Sequence, residues 1–204
     1  MRRMIAVVLA LAAAGAAGAA GAAAQATGTT TFNAPYRAFT RAEFGALLSF
    51  PNGGGTAFEG AYRMASGKFD IGFKGGIFTP GGGASSVALL GVEARERVID
   101  KTADFPLDGA LVFGIGANLV SGNSVLIVPV GLSLGGRVKP QGSQVSFVPY
   151  VQPTAFFFAG SGNSDFQFAL GLGVDLRLSP SFDARISAGL GDVEGVSIGA
   201  VWVH

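Results

Sequence analysis

One histidine, no cysteine and 13 carboxylates are the groups with which this 204-residue chain could do chemistry. The lack of cysteine excludes disulfides, thiolate catalysis, Cys-ligated zinc and acylation at an N-terminal cysteine. The histidine is His204, the last residue. A general base must reach a nucleophile and be oriented by a third group, and a terminal residue is badly placed for that; it reads as an interfacial end-residue. Carboxylate pairs could share acid–base work, and Glu59 with Asp70, or Asp175 with Asp183, fall where adjacent strands would bring them near one another. Each has a basic residue a few positions away on the same face, Arg63, Lys74, Arg177 or Arg185, so the expectation turns to a structural ion-pair network. Gly53-Gly54-Gly55 and Gly81-Gly82-Gly83 lack the lysine and helix of a phosphate loop and read as turns. No metal-ligand spacing occurs. The expectation is a non-enzyme without metal or cofactor.

The elements that must position these groups follow from composition and period. Hydrophobic residues make up 49% of the chain, with 17 Phe, while charged residues reach 13%, against roughly 25% in soluble domains. Intrinsic disorder is excluded by that balance. A net charge of +1 offers no footprint for nucleic acid. At the start, Arg2 and Arg3 precede an apolar run, Met4–Leu11, and then alanine and glycine up to Ala24. Such a sequence reads as an export leader. Two A-x-A sites compete, Ala22-Ala23-Ala24 and Ala24-Gln25-Ala26. The expected division is a cleaved leader at 1–26, a periplasmic lead-in at 27–35 and one domain at 36–204. An uncleaved anchor is the alternative, since a stretch of about 20 residues can span a bilayer, although its alanine- and glycine-rich half is weakly hydrophobic.

Beyond residue 36 the chain alternates with period two. Phe166, Phe168, Leu170, Leu172, Val174, Leu176 and Leu178 share one face; Asp165, Gln167, Ala169, Gly171, Gly173, Asp175 and Arg177 share the other. Ten strands are expected, at 36–50, 56–65, 69–78, 87–98, 109–120, 125–138, 145–159, 165–178, 181–191 and 195–204, with eight as the alternative. An even number closes an antiparallel up-and-down cylinder with both termini on one side. Alternation alone also suits a soluble barrel turned inside out, carrying an apolar ligand within. The less hydrophobic face decides between them: it is mainly Gly, Ala and Ser, which suits a crowded interior and not a soluble exterior, while the Phe/Leu/Ile/Val face asks for lipid. Arg41, Glu43, Glu59, Arg63, Asp70, Lys74, Glu93, Arg95, Asp175, Arg177, Asp183 and Arg185 all fall on the inner face, six basic and six acidic. Facing lipid, each would cost about 2–4 kcal/mol at mid-bilayer. Glu96 breaks the parity near a strand end.

In these features, over 36–204, the chain resembles the small outer-membrane β-barrel proteins of bacteria, of the OmpA-like membrane-domain type with no periplasmic domain following. Its last strand also resembles their assembly signal, through Ser197, Gly199, Trp202 and His204, with His204 departing from the usual terminal aromatic. The resemblance implies an outer-membrane location in a Gram-negative envelope, contact with outer-membrane lipid, and the barrel-assembly machinery and periplasmic chaperones as partners in biogenesis. The expected protein is a monomer with a structural or envelope role and a lumen filled by charged side chains and by residues of the Tyr150 and Gln152 kind. A narrow pore for small solutes is the alternative. Tyr36, Tyr62, Phe156, Phe157, Phe158 and Trp202 near strand ends read as an aromatic girdle, with a carbohydrate- or lipid-binding cluster as the alternative. Pro129, Pro149 and Pro153 fall inside strands, where proline donates no ladder bond. A bulge or local bend that absorbs them is the expectation; the alternative is a weakened seam beside the strand at 145–159, because Pro149 and Pro153 share parity and turn their missing donors toward the same neighbour. The connection Ile99–Asp108 is long for the periplasmic side, on which the strand count puts it.

Overall fold

The computed structural model describes residues 26–35, 41–120, 122–160 and 163–204. The leader expected at 1–26, apart from Ala26, lies outside them, as does Tyr36. Ten strands follow in order: β1 (Glu43–Pro51), β2 (Thr56–Ser66), β3 (Phe69–Thr79), β4 (Val87–Ile99), β5 (Asp108–Val120), β6 (Asn123–Gly135), β7 (Ser146–Gly160), β8 (Asn163–Ser179), β9 (Phe182–Gly191) and β10 (Gly195–Val203). Each pairs antiparallel with its sequence neighbours, and β1 meets β10 from Glu43↔Val203 to Pro51↔Gly195, closing the barrel. Closure removes every sheet edge. The expected ten-stranded antiparallel barrel is what the chain forms, and the eight-strand alternative falls. Two bounds shift most: β1 begins at Glu43, not at 36, and β6 stops at Gly135, with an isolated bridge Val138↔Phe147 beyond it.

Alternation along each strand sorts side chains by face. Every strand contributes outward apolar groups: Phe44, Phe58, Ile77, Leu90, Ile115, Val130, Phe157, Phe166, Ile186 and Val196 are all exposed, Phe166 to 69%. Inward positions hold small and polar residues together with a few large apolar ones, Leu47, Leu89, Ile127, Val148 and Phe156 among them. The two-residue β2–β3 hairpin, Gly67-Lys68, needs Gly67 at φ +65, a conformation glycine adopts without strain. At the end that carries the termini, connections 100–107 and 136–145 are longer than 52–55 and 192–194 at the far end. The long connection is therefore where the strand count put it.

Two seams are interrupted, both beside β6. The β5–β6 ladder passes from Phe113↔Val130 to Gly116↔Ile127, skipping Pro129. The β6–β7 ladder passes from Gly131↔Thr154 to Leu134↔Val151, skipping Pro153. By contrast, β7–β8 is continuous from Ser146↔Arg177 to Gly160↔Asn163. Gly136 N donates to Pro149 O at 3.3 Å. A residue's N and O point the same way in an antiparallel strand, so Pro149 and Pro153 both turn their missing donors toward β6. Bulges elsewhere, at Arg97/Ile99 and Arg177/Ser179, lie at the termini end of the barrel.

Candidate functional site

The lumen is where the chemistry-bearing residues meet. Glu43, Glu59, Arg63, Asp70, Lys74, Glu93, Arg95, Asp175, Asp183 and Arg185 are all buried there. Seven form one chain of ion pairs through β8, β9, β1, β2, β3 and β4: Asp175–Arg185 (3.2 Å), Arg185–Glu43 (2.9 Å), Glu43–Arg63 (3.8 Å), Arg63–Asp70 and Arg63–Glu93 (both 2.5 Å) and Asp70–Arg95 (3.0 Å). The chain crosses the β1–β10 closure, which ties the first strands to the last. Of the carboxylates considered for acid–base work, Asp70, Asp175 and Asp183 are placed opposite arginines in the ladder, as Asp70↔Arg95, Asp175↔Arg185 and Arg177↔Asp183, while Glu59 is opposite Leu47 and Gly76. Arg177 is half-buried. Arg41 sits outside the network, exposed at the rim, donating to Pro180 O (3.0 Å) and Val203 O (3.5 Å). Glu96 is exposed, as its parity implies.

Glu59 and Lys74 turn instead to a partner that sequence reasoning missed. Residues 26–35 run inside the barrel, all of them buried, in place of the periplasmic lead-in expected at 27–35. Thr29 Oγ1 donates to Glu59 Oε2 (2.6 Å), Lys74 Nζ donates to Thr31 Oγ1 (2.8 Å), and Arg185 Nη1 donates to Asn33 Oδ1 (3.2 Å). Inward glycines make the room. A Cβ on Gly116 would overlap the Ala26 carbonyl, one on Gly91 would stand 2.8 Å from Ala26 Cβ, and one on Gly171 would enter the Phe32 ring. The glycine-rich inner face was legible in the sequence; its occupant was not, because 26–35 carries no hydrophobic period. Beside the segment, a cavity of about 20 Å³ touches Asn33, Glu43, Arg63, Lys74 and Arg185, room for about one water.

The lumen also holds an apolar cluster, interspersed on β6 and β7 with buried Ser133, Ser146, Gln152 and Thr154. Phe32, Ala34, Ile127, Val148, Tyr150, Phe156, Ala169 and Val193 form one buried cluster, with Phe158 packed against it. Phe156 and Phe158, expected in the girdle, therefore face inward; Phe157 alone of the three is outside, 45% exposed. The reason is parity: in a run of three Phe, the middle one takes the opposite face. Tyr62 and Trp202 are outward as expected. At the termini end, Trp202 stacks on Phe44 (5.3 Å) and meets Phe182 edge-on (5.2 Å), while His204 lies over Tyr62 (6.2 Å) and its N–H donates to Ala42 O (3.0 Å). Of the expected assembly signal, Ser197 and Gly199 lie on the inward parity, Trp202 and His204 on the outward one; Ser197 is buried. Among the described residues there is no grouping of His, Asp and Glu that could hold a metal.

No protein-family model matches the sequence, and no curated protein matches it. Among solved structures, the chain is similar to a de novo designed transmembrane β-barrel, at TM-score 0.40 and 15% identity, over 80% of this chain and 95% of that one. It is also similar to the beta domain of the Bordetella autotransporter BrkA, at TM-score 0.49 and 13% identity, over 79% of this chain and 96% of that one. The fold described above rests on the chain's own strand pairing.

Proposed function

We propose that this chain is an exported, monomeric outer-membrane barrel whose lumen is closed by its own residues 26–35, with a structural role in the envelope and no catalytic activity. The observation that carries the reading is the filled lumen: the segment is buried along its whole described length, and the cavity beside it admits about one water. Membrane residence is supported by the outward face. Apolar side chains from all ten strands stand exposed, far more than the few hundred Å² a soluble surface tolerates, while each buried charge points away from them. Only a closed barrel satisfies the backbone in lipid without helices. Ala26, fitted between Gly91 and Gly116, favours leader removal after Ala24 over removal after Ala26, because the later cut would discard a packed residue.

The test is planar-bilayer conductance of the chain refolded in detergent, after a heat-modifiable β-sheet form has been verified. A folded, inserted and silent barrel is expected. Stable conductance steps that change with Arg63→Ala would make it a pore, and refolding to a soluble form without detergent would overturn the membrane assignment.

A further inference from the structure

The main chain of residues 30–34 is held more systematically than its side chains. Five successive carbonyls each accept a hydrogen bond from the wall: Thr30 O from Ser187 (2.7 Å) and Ser197 (2.9 Å), Thr31 O from Lys74 Nζ (3.2 Å), Phe32 O from Tyr150 (2.7 Å), Asn33 O from Ser133 (2.7 Å) and Ala34 O from Arg95 Nη1 (2.7 Å). The donors come from β3, β4, β6, β7, β9 and β10, so they surround the segment. Residues 31–34 are neither helix nor strand; the wall supplies what a ladder would. A carbonyl carries no information about its side chain, and Thr30 Oγ1, although buried, makes no hydrogen bond at all. Selection by side chain falls on Phe32, whose ring occupies the space left by Gly171 and Gly189, on Asn33, whose amide group meets Arg185, and on the hydroxyls of Thr29 and Thr31, which meet Glu59 and Lys74.

We infer that the lumen is a binding site for a non-helical polypeptide segment, read through consecutive main-chain carbonyls and one aromatic anchor, and that residues 26–35 are a resident ligand which another polypeptide of the same pattern can replace. Main-chain hydrogen bonds supply affinity and pockets for single side chains supply specificity, as in other modes of peptide recognition. The favoured ligand is small, uncharged and rich in hydroxyl groups. Its aromatic is followed by a carboxamide. A charged ligand side chain would be buried beside arginines that already have carboxylate partners, which is unfavourable.

The inference rests on the closed-lumen reading, and the experiment separates the two. A specific protease site is inserted in the full chain between Pro35 and Arg41, the chain is folded in detergent and the site is cut. The cut segment stays with the barrel if the closed-lumen reading holds. Excess fluorescein-labelled peptide with the sequence of residues 26–35 is then added, and anisotropy and co-elution are followed. Exchange of label into the barrel is expected. A Thr30→Ala peptide is expected to bind within about twofold of the parent, and a Phe32→Ala peptide at least about tenfold more weakly, the equivalent of one lost buried contact. These variants leave the barrel's own folding untouched. Retention of the cut segment with no uptake of label would overturn exchange while leaving the closed lumen intact. Loss of the segment on cutting, from a barrel that keeps its heat-modifiable form, would overturn both. Equal binding of the Phe32→Ala and parent peptides would overturn the aromatic anchor.

Discussion

On one side of residues 26–35, strands β1–β4 with β8 and β9 present a connected chain of four carboxylates and three arginines. Adjoining it, β6–β8 present Ile127, Val148, Tyr150, Phe156 and Ala169, interspersed with Ser133, Gln152 and Thr154. Both sectors bury their side chains against the same ten residues, by opposite chemistry. Ion pairs out of water hold only while every partner is present. The apolar sector relies on filled volume, which tolerates exchange of shape. The contrast also bears on conduction: the polar groups that β6 and β7 add to the apolar sector, Ser133, Tyr150, Gln152 and Thr154, bond the segment or one another and so are not left to line a water path.

The largest difference between the two sectors is expected at Arg63, which holds Asp70, Glu93 and Glu43. Arg63→Met keeps much of the volume and takes a partner from three buried carboxylates, of which Asp70 keeps Arg95, Glu43 keeps Arg185 and Glu93 loses its ion pair. Urea unfolding in lipid vesicles is expected to show a loss of about 3–5 kcal/mol. In the opposite sector, Phe156→Leu should lose less than about 1.5 kcal/mol by the same assay. Equal losses would break the distinction between the sectors.

Next in size is Val130→Arg on the outer face of β6, where Val130 is 55% exposed. A cost of about 2–4 kcal/mol is expected in a bilayer, and an unchanged unfolding midpoint would show that lipid does not touch that face. A smaller loss is expected from Tyr150→Phe, which removes the donor to Phe32 O while keeping the ring. About 1–3 kcal/mol is expected from the unsatisfied buried carbonyl, accompanied by faster proteolysis of the 26–35 segment.

Much of this architecture was legible because parity is a strong signal. Glu59, Arg63, Asp70 and Lys74 alternate with Phe58, Tyr62, Ile71 and Phe73, and the structure sets the first four inward and buried. Parity misleads where the inner face is itself apolar. Phe156 looked like a rim aromatic because nothing in its strand announces that Phe32 sits opposite. Arg41 was assigned inward by counting within a strand expected from 36, but the strand starts at Glu43 and Arg41 is free to turn to the rim. The resident segment itself was out of reach, since a non-periodic stretch held by scattered serines and a tyrosine has no local pattern. The one trace it left is the run of inward glycines.

The smallest effect concerns the boundary of the apolar sector, the interrupted β6–β7 seam. Replacing Pro149 and Pro153 with valine restores two donors directed at β6, and a gain of about 0.5–1.5 kcal/mol per bond is expected in the same unfolding assay. No change, or a loss, would mean that the wall is shaped to do without them.

Whether residues 26–35 fill the lumen can be read by cysteine labelling, because the chain has no cysteine of its own. Thr30→Cys places a thiol at a fully buried position, and Thr102→Cys places one in an exposed connection. With a membrane-impermeant maleimide, Thr102→Cys is expected to be modified rapidly in the folded barrel and Thr30→Cys only after unfolding. Equal labelling rates in the folded state would contradict a filled lumen.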